Sequence, residues 1–145
     1  MKKTLVLLAT VVMIGLSTGC KKEKVLDCST TQEQSGIEMK QNMKATFKGN
    51  EVTDVKVTVD AVLGETYKNY KSLFVSSIES SFKKYEDLKG VDIKTTDKDD
   101  VVTVTLKADI TKMDDEAKDA LDIVDTTGNY EATKKALEKE GYTCK

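Results

Sequence analysis

Histidine, arginine, tryptophan and proline are missing from the 145-residue chain. The first two absences weigh most. Without histidine no side chain has an unperturbed pKa near neutrality, so Ser-His-Asp and Cys-His triads, His-rich zinc sites and the usual acid/base partner are excluded. Without arginine all 23 basic residues are lysine, and there is no guanidinium fork for bidentate grip on carboxylate or phosphate. Cysteine is scarce, at positions 20, 28 and 144. Long hydrophobic runs are scarcer still: the only extended one, Thr4 to Leu16, is too short to cross a bilayer comfortably as a helix.

What that run does have is the right flanks. Lys2 and Lys3 precede it, and Thr18 and Gly19 follow it directly before Cys20. A positive start, an apolar middle and small residues ahead of a cut make a secretory signal. The stretch LSTGC resembles a bacterial lipobox, in which signal peptidase II cleaves before a cysteine that already carries diacylglycerol. It departs from the usual pattern in having Ser17 three residues before the cysteine, with Leu16 one place further back. Residues 1–19 are thus expected to be a lipoprotein signal peptide and Cys20 the acylated first residue of the mature chain. A cysteine inside an ordinary signal peptide or an uncleaved anchor is the plainer alternative. Two acyl chains, at about 0.8 kcal/mol per buried methylene, suffice for stable anchoring where one does not. Residues 20–27 then form a lipidated tether, whose lysines are either solvated or in touch with anionic headgroups. The expected location is the extracytoplasmic face of the cell membrane.

Removing residues 1–19 takes out Lys2 and Lys3, which leaves 21 lysines against 25 acidic side chains and a net charge of −4. A mildly acidic protein outside the cytoplasm is a poor candidate for nucleic acid, which calls for a basic face. Residues 28–145 suit one domain with a modest core. With Cys20 assigned to lipid, Cys28 and Cys144 remain, and outside the cytoplasm an even pair reads as a disulfide. Two free thiols or a redox-active pair are the competing readings, the latter without CxxC spacing.

From Cys28 the chain alternates with period two. CSTTQEQ is Thr-rich and ends at Ser35-Gly36. In IEMKQNMKATF, Ile37, Met39, Met43, Ala45 and Phe47 share one face, while Glu38, Lys40, Asn42, Lys44 and Thr46 share the other. After a KGN turn, Val55, Val57, Val59, Ala61 and Leu63 repeat the pattern, giving a three-stranded antiparallel meander. Beyond Gly64 the period lengthens: Tyr67, Tyr70, Phe74, Ile78, Phe82, Tyr85 and Leu88 recur every three or four positions, predicting one amphipathic helix of about six turns capped by Gly90. Val91 and Ile93, then Val102, Val104, Leu106, Ala108 and Ile110, mark a second hairpin turning at TDKDD. Two shorter helices follow, one with Met113, Ala117, Ala120, Leu121 and Val124 on its apolar side, the other capped by Asn129 and stopped by Gly141. A terminal YTCK segment returns Cys144 toward Cys28. The fold class is therefore α+β: an antiparallel sheet packed against one long amphipathic helix, with two shorter C-terminal helices.

Three groups invite a chemical reading. Tyr67, Tyr70 and Tyr85 fill the core or line a groove at the helix edge. Asp97, Asp99 and Asp100 lack the frame of an EF-hand, without its central glycine and terminal glutamate, and read as an acidic turn or a weak cation site. Asp114, Asp115 and Glu116 are adjacent carboxylates at a helix start, where they suit the dipole and point in different directions. No catalytic residue, cofactor site or metal site is assigned.

Taken together, the lipobox, the meander, the KKYEDLKGV helix ending, the VTVTLKADI strand and the ATKKALEKEGY helix resemble the YehR-like family of small bacterial lipoproteins, nearly end to end. The resemblance implies lipidation and a compact α+β domain of uncharacterised function, and it transfers no active-site residue. The leading expectation is a non-enzymatic lipoprotein that binds an envelope protein or a small ligand. The runner-up is a small extracytoplasmic enzyme or ligand carrier that uses Tyr, Lys, Ser or carboxylate groups.

Overall fold

The computed structural model describes residues 22–121, 123 and 128–145. The expected signal peptide, Cys20 and Val124 of the expected third helix lie outside the described residues. Three long strands, β1 (Glu23–Gln34), β2 (Ile37–Lys48) and β3 (Glu51–Leu63), form the meander, and β4 (Val91–Lys98) and β5 (Val101–Asp109) form the second hairpin. With the short β6 (Thr143–Cys144) they make a six-stranded sheet in the order β4-β5-β3-β2-β1-β6, antiparallel throughout. The first turn explains itself: Ser35 and Gly36 both take left-handed φ, 55° and 78°, the two-residue geometry whose twist matches the flanking strands. The first strand begins at Glu23, five residues before the expected start of the domain, so residues 23–27 belong to the sheet.

Register converts the alternating sequence into two unlike faces. On one, Leu26, Ala45, Val55, Ala108 and Val91 align across five strands, and Cys28, Met43, Val57, Leu106 and Ile93 form the next row. A bulge between Thr46 and Phe47 keeps Val52 on this side as well. The core continues into Ile110, Met113, Ala117, Leu121, Leu137 and Tyr142, which the C-terminal third lays over these rows. On the opposite face Asp27, Lys44, Lys56, Lys107 and Asp92 make a charged row that no helix of the described residues covers. Phe47 is fully buried and meets Tyr130 edge-to-face, with centroids 5.7 Å apart.

The single long helix is not what forms. Glu65–Lys68 is a one-turn helix, α1, and Lys71–Phe82 is α2, followed by a 3-10 turn at Lys83–Tyr85. At Asn69 and Tyr70 the hydrogen bonding tightens, with the Tyr70 amide donating to the Tyr67 carbonyl, three residues back, at 2.9 Å. Gly90 does not cap that helix. It lies in the turn into β4 with φ 81°, where its carbonyl accepts the Asp109 amide at 2.7 Å. Both C-terminal helices form, the first shorter than expected, with Met113 in extended backbone ahead of it and Leu121 at its C-cap. In α3 (Asp115–Ala120) the Asp114 carboxylate caps the Ala117 amide at 3.0 Å, and in α4 (Tyr130–Lys139) the Asn129 side chain caps the Glu131 and Ala132 amides. Ala120, expected on the apolar side, is exposed at the end of α3. Among the described residues no helix is long and apolar enough to cross a membrane.

Candidate functional site

The helix α2 carries no buried residue, although its apolar stripe was expected to fill the core. It packs chiefly over β4, an edge strand, so only one side of the stripe finds cover. Phe74, Ile78 and Phe82 are half-buried, whereas Tyr70 and Leu73 stand 59 % and 68 % exposed around the start of the helix. Residues three apart at a helix start are neighbours, and the half-buried Tyr67 lies just before them, against the β1–β2 turn. An apolar surface is thereby displayed at the sheet end where β1 turns into β2.

The three tyrosines offered as a groove lining do not come together. Tyr85 is buried beside Phe82, ring centroids 6.4 Å apart, with the Lys84 ammonium over its ring at 4.6 Å. Tyr67 and Tyr70 sit at the other end of α2. There is nevertheless a groove, a shallow open cavity of about 430 Å³ between the other flank of α2 and β4. Ser76, Glu79, Ser80, Phe82, Lys83 and Glu86 line one wall, and Ile93 and Thr95 line the other. Sequence reasoning passed over it; the signal was the serine-rich side of SSIESS, too polar to pack and too regular to be a loop.

The acidic turn is held by ammonium groups. Lys68 reaches the Asp100 carboxylate at 2.8 Å and also pairs with Glu65, while Lys71 meets the Asp97 carboxylate at 2.9 Å and donates to the Asp99 carbonyl at 2.8 Å. Hydrogen bonding to Asp100, and then to Glu65, holds the Lys68 ammonium well above the ordinary lysine range. Two lysines therefore occupy the positions a cation would take beside Asp97 and Asp100, and they pin the start of α2 to the β4–β5 hairpin. Among the described residues no three His, Cys, Asp or Glu side chains converge as a metal site. Asp114 is spent as a helix cap, and Asp115 and Glu116 point into solvent, so the carboxylate trio forms no proton-sharing pair.

Cys28 and Cys144 face one another across β1 and β6 and are joined in a disulfide with Cα atoms 4.1 Å apart. On the open face beside it, the Asp27 carboxylate accepts from the Asn42 amide at 2.7 Å and from the Lys44 ammonium at 2.9 Å, contacts that hold it below the usual carboxylate range. The Tyr142 hydroxyl is buried next to Gln41 without a hydrogen bond of acceptable geometry, and burial pushes its pKa upward.

No protein-family model matches the chain, and no curated protein matches it. Solved structures do. The NMR structure of the YehR protein of E. coli superimposes with a TM-score of 0.62 at 16% sequence identity, covering 86% of this chain and 91% of that one. The NMR structure of a protein from Streptococcus pneumoniae TIGR4 gives 0.58 at 14% identity, covering 92% and 93%. At such identities the likeness speaks for architecture alone. The chain has a YehR-like fold.

Proposed function

We propose that the protein is a bacterial lipoprotein, anchored through Cys20 to the outer face of the cytoplasmic membrane, whose folded domain is a non-enzymatic binding module for another envelope component. The observation that carries the binding half of this reading is the surface formed by Tyr70 and Leu73, the two most exposed large apolar side chains among the described residues. Single exposed apolar side chains are ordinary, but these two adjoin Tyr67 and Phe74 on one rigid helix start that is clamped by Lys68 and Lys71. Aromatic and aliphatic groups on a fixed element lose little conformational freedom when a partner covers them. The lipid half rests on the LSTGC segment with the apolar run and Lys2 and Lys3 ahead of it.

A photo-cross-linking residue at Leu73, in protein expressed in its own membranes, tests the binding half. The expected outcome is one discrete adduct from position 73 and none from position 56 on the uncovered sheet face. Equal labelling from both positions, or none from either, would count against it.

The groove between α2 and β4 supports a second reading, a carrier for a small polar ligand. Its Glu79, Glu86 and Lys83 heads with Ser76, Ser80 and Thr95 hydroxyls offer both donors and acceptors. Under that reading Thr95→Trp, which fills the groove, abolishes function while Leu73→Ser leaves it intact; the leading reading expects the reverse.

A further inference from the structure

The geometry points to one end of the sheet as a membrane-docking surface: Lys22, Lys24 and Lys48, gathered where β1 enters the domain, rest on phospholipid headgroups, and β1 runs outward from the bilayer. This rests on the anchoring at Cys20 proposed above. Only Lys21 and Lys22 separate Cys20 from the first strand residue, Glu23. Three Cα–Cα steps reach at most about 10 Å. That is little more than the Debye length of about 8 Å at physiological salt, so only charges at this end of the sheet come close enough to act on the headgroups, and those farther along β1 are screened from them.

Which groups lie there follows from register. Glu23 pairs with Lys48, and the β2–β3 turn closes between Lys48 and Glu51. The carbonyl of Asn50 in that turn accepts the Gly128 amide at 2.8 Å, which brings the chain leading into α4 to the same end. Lys24 lies over the ring of Tyr130, 5.3 Å from its centroid, with its charge held at this rim. The nearby Lys112 is already taken by Asp109 at 2.6 Å. Lys22, Lys24 and Lys48, with Lys21 beside the anchor, are interleaved with Glu23 and Glu51, and it is the lysine ammonium groups that meet an anionic surface favourably. The far end of β1, at Gln34, lies about 36 Å away at the rise of an extended strand. Tyr67 and Tyr70 are therefore held out of the headgroup layer, where a partner in the envelope can reach them.

The test uses full-length lipidated protein in vesicles of phosphatidylcholine with phosphatidylglycerol, the headgroups carrying an energy-transfer acceptor. A fluorophore is placed on Glu51→Cys at the proposed proximal end or on Gln34→Cys at the distal end. Both positions are exposed, and the paired Cys28 and Cys144 and an acylated Cys20 offer no competing free thiol to the label. Strong transfer from position 51 and severalfold weaker transfer from position 34 is expected, with the difference shrinking for the same labelled proteins on pure phosphatidylcholine and when K22E/K24E/K48E is added to them. Equal transfer from both positions, as from a domain lying flat on its sheet, or stronger transfer from position 34, overturns the proposal. A difference indifferent to lipid charge and to the triple reversal overturns the lysine contacts. The mass of Cys20 in the same sample reports the anchor independently, so loss of lipidation and loss of orientation are told apart.

Discussion

Two side chains show how local chemistry sets measurable behaviour. Asp27 is stabilised as the anion, first by the Asn42 amide and then by Lys44, so its folded pKa lies below the unfolded value of about 3.9. A lowered folded pKa gives stability that is present above the unfolded value and lost as pH falls through the folded one. Urea unfolding followed between pH 5 and pH 2 should therefore show a steep acid limb that is shallower in Asp27→Asn. The carboxylate is partly solvated, and the effect is a modest one. Tyr142 runs the other way. Its buried hydroxyl has no adequate partner, so Tyr142→Phe should leave stability unchanged or raise it by up to about 1 kcal/mol. The wild type should also lose stability as pH climbs past 10, because the unfolded phenol ionises first; Tyr142→Phe removes that part of the alkaline limb, as denaturant midpoints at pH 9 and 11 would report.

At the scale of elements, period-two strands were legible because each buries one face. Ile37 to Phe47 and Val55 to Leu63 lie as the alternation implies, and the Asn129 cap stands at the start of α4. The long helix was legible only as a face. Tyr67, Tyr70, Phe74, Ile78 and Phe82 keep helical spacing straight through Asn69, and spacing reports which side is apolar, not whether the backbone hydrogen bonds run unbroken. Nor does an apolar stripe say how much sheet lies beneath it. Over an edge strand half of it stays open, and that is the candidate site. Gly90 was correctly singled out but misplaced. A Cβ there would meet the Asp109 carbonyl oxygen at 2.7 Å and Met113 at 3.1 Å, at a left-handed φ. Gly90→Ala should cost about 1–3 kcal/mol in denaturant unfolding, through strain and displacement of the β5 hydrogen bond.

Over the whole molecule, the disulfide between Cys28 and Cys144, 116 positions apart, ties the last strand to the first and closes nearly the entire folded chain into one loop. Replacing both cysteines by serine should lower stability by about 2–5 kcal/mol, read as a lower urea midpoint. The free edge of β1 beyond β6 would lengthen at the same time. Cysteine arithmetic had made this link legible, whereas the end of the sheet proposed to face the bilayer could be argued only once β1 was seen to start at Glu23. The reading of a displayed binding module stands on the chain being held at a membrane by its first mature residue. Intact-mass analysis of the protein extracted from its own membranes tests that most directly. The account predicts a chain beginning at Cys20 with diacylglycerol on the sulfur, and an unmodified Cys20 or a mature start elsewhere would contradict it.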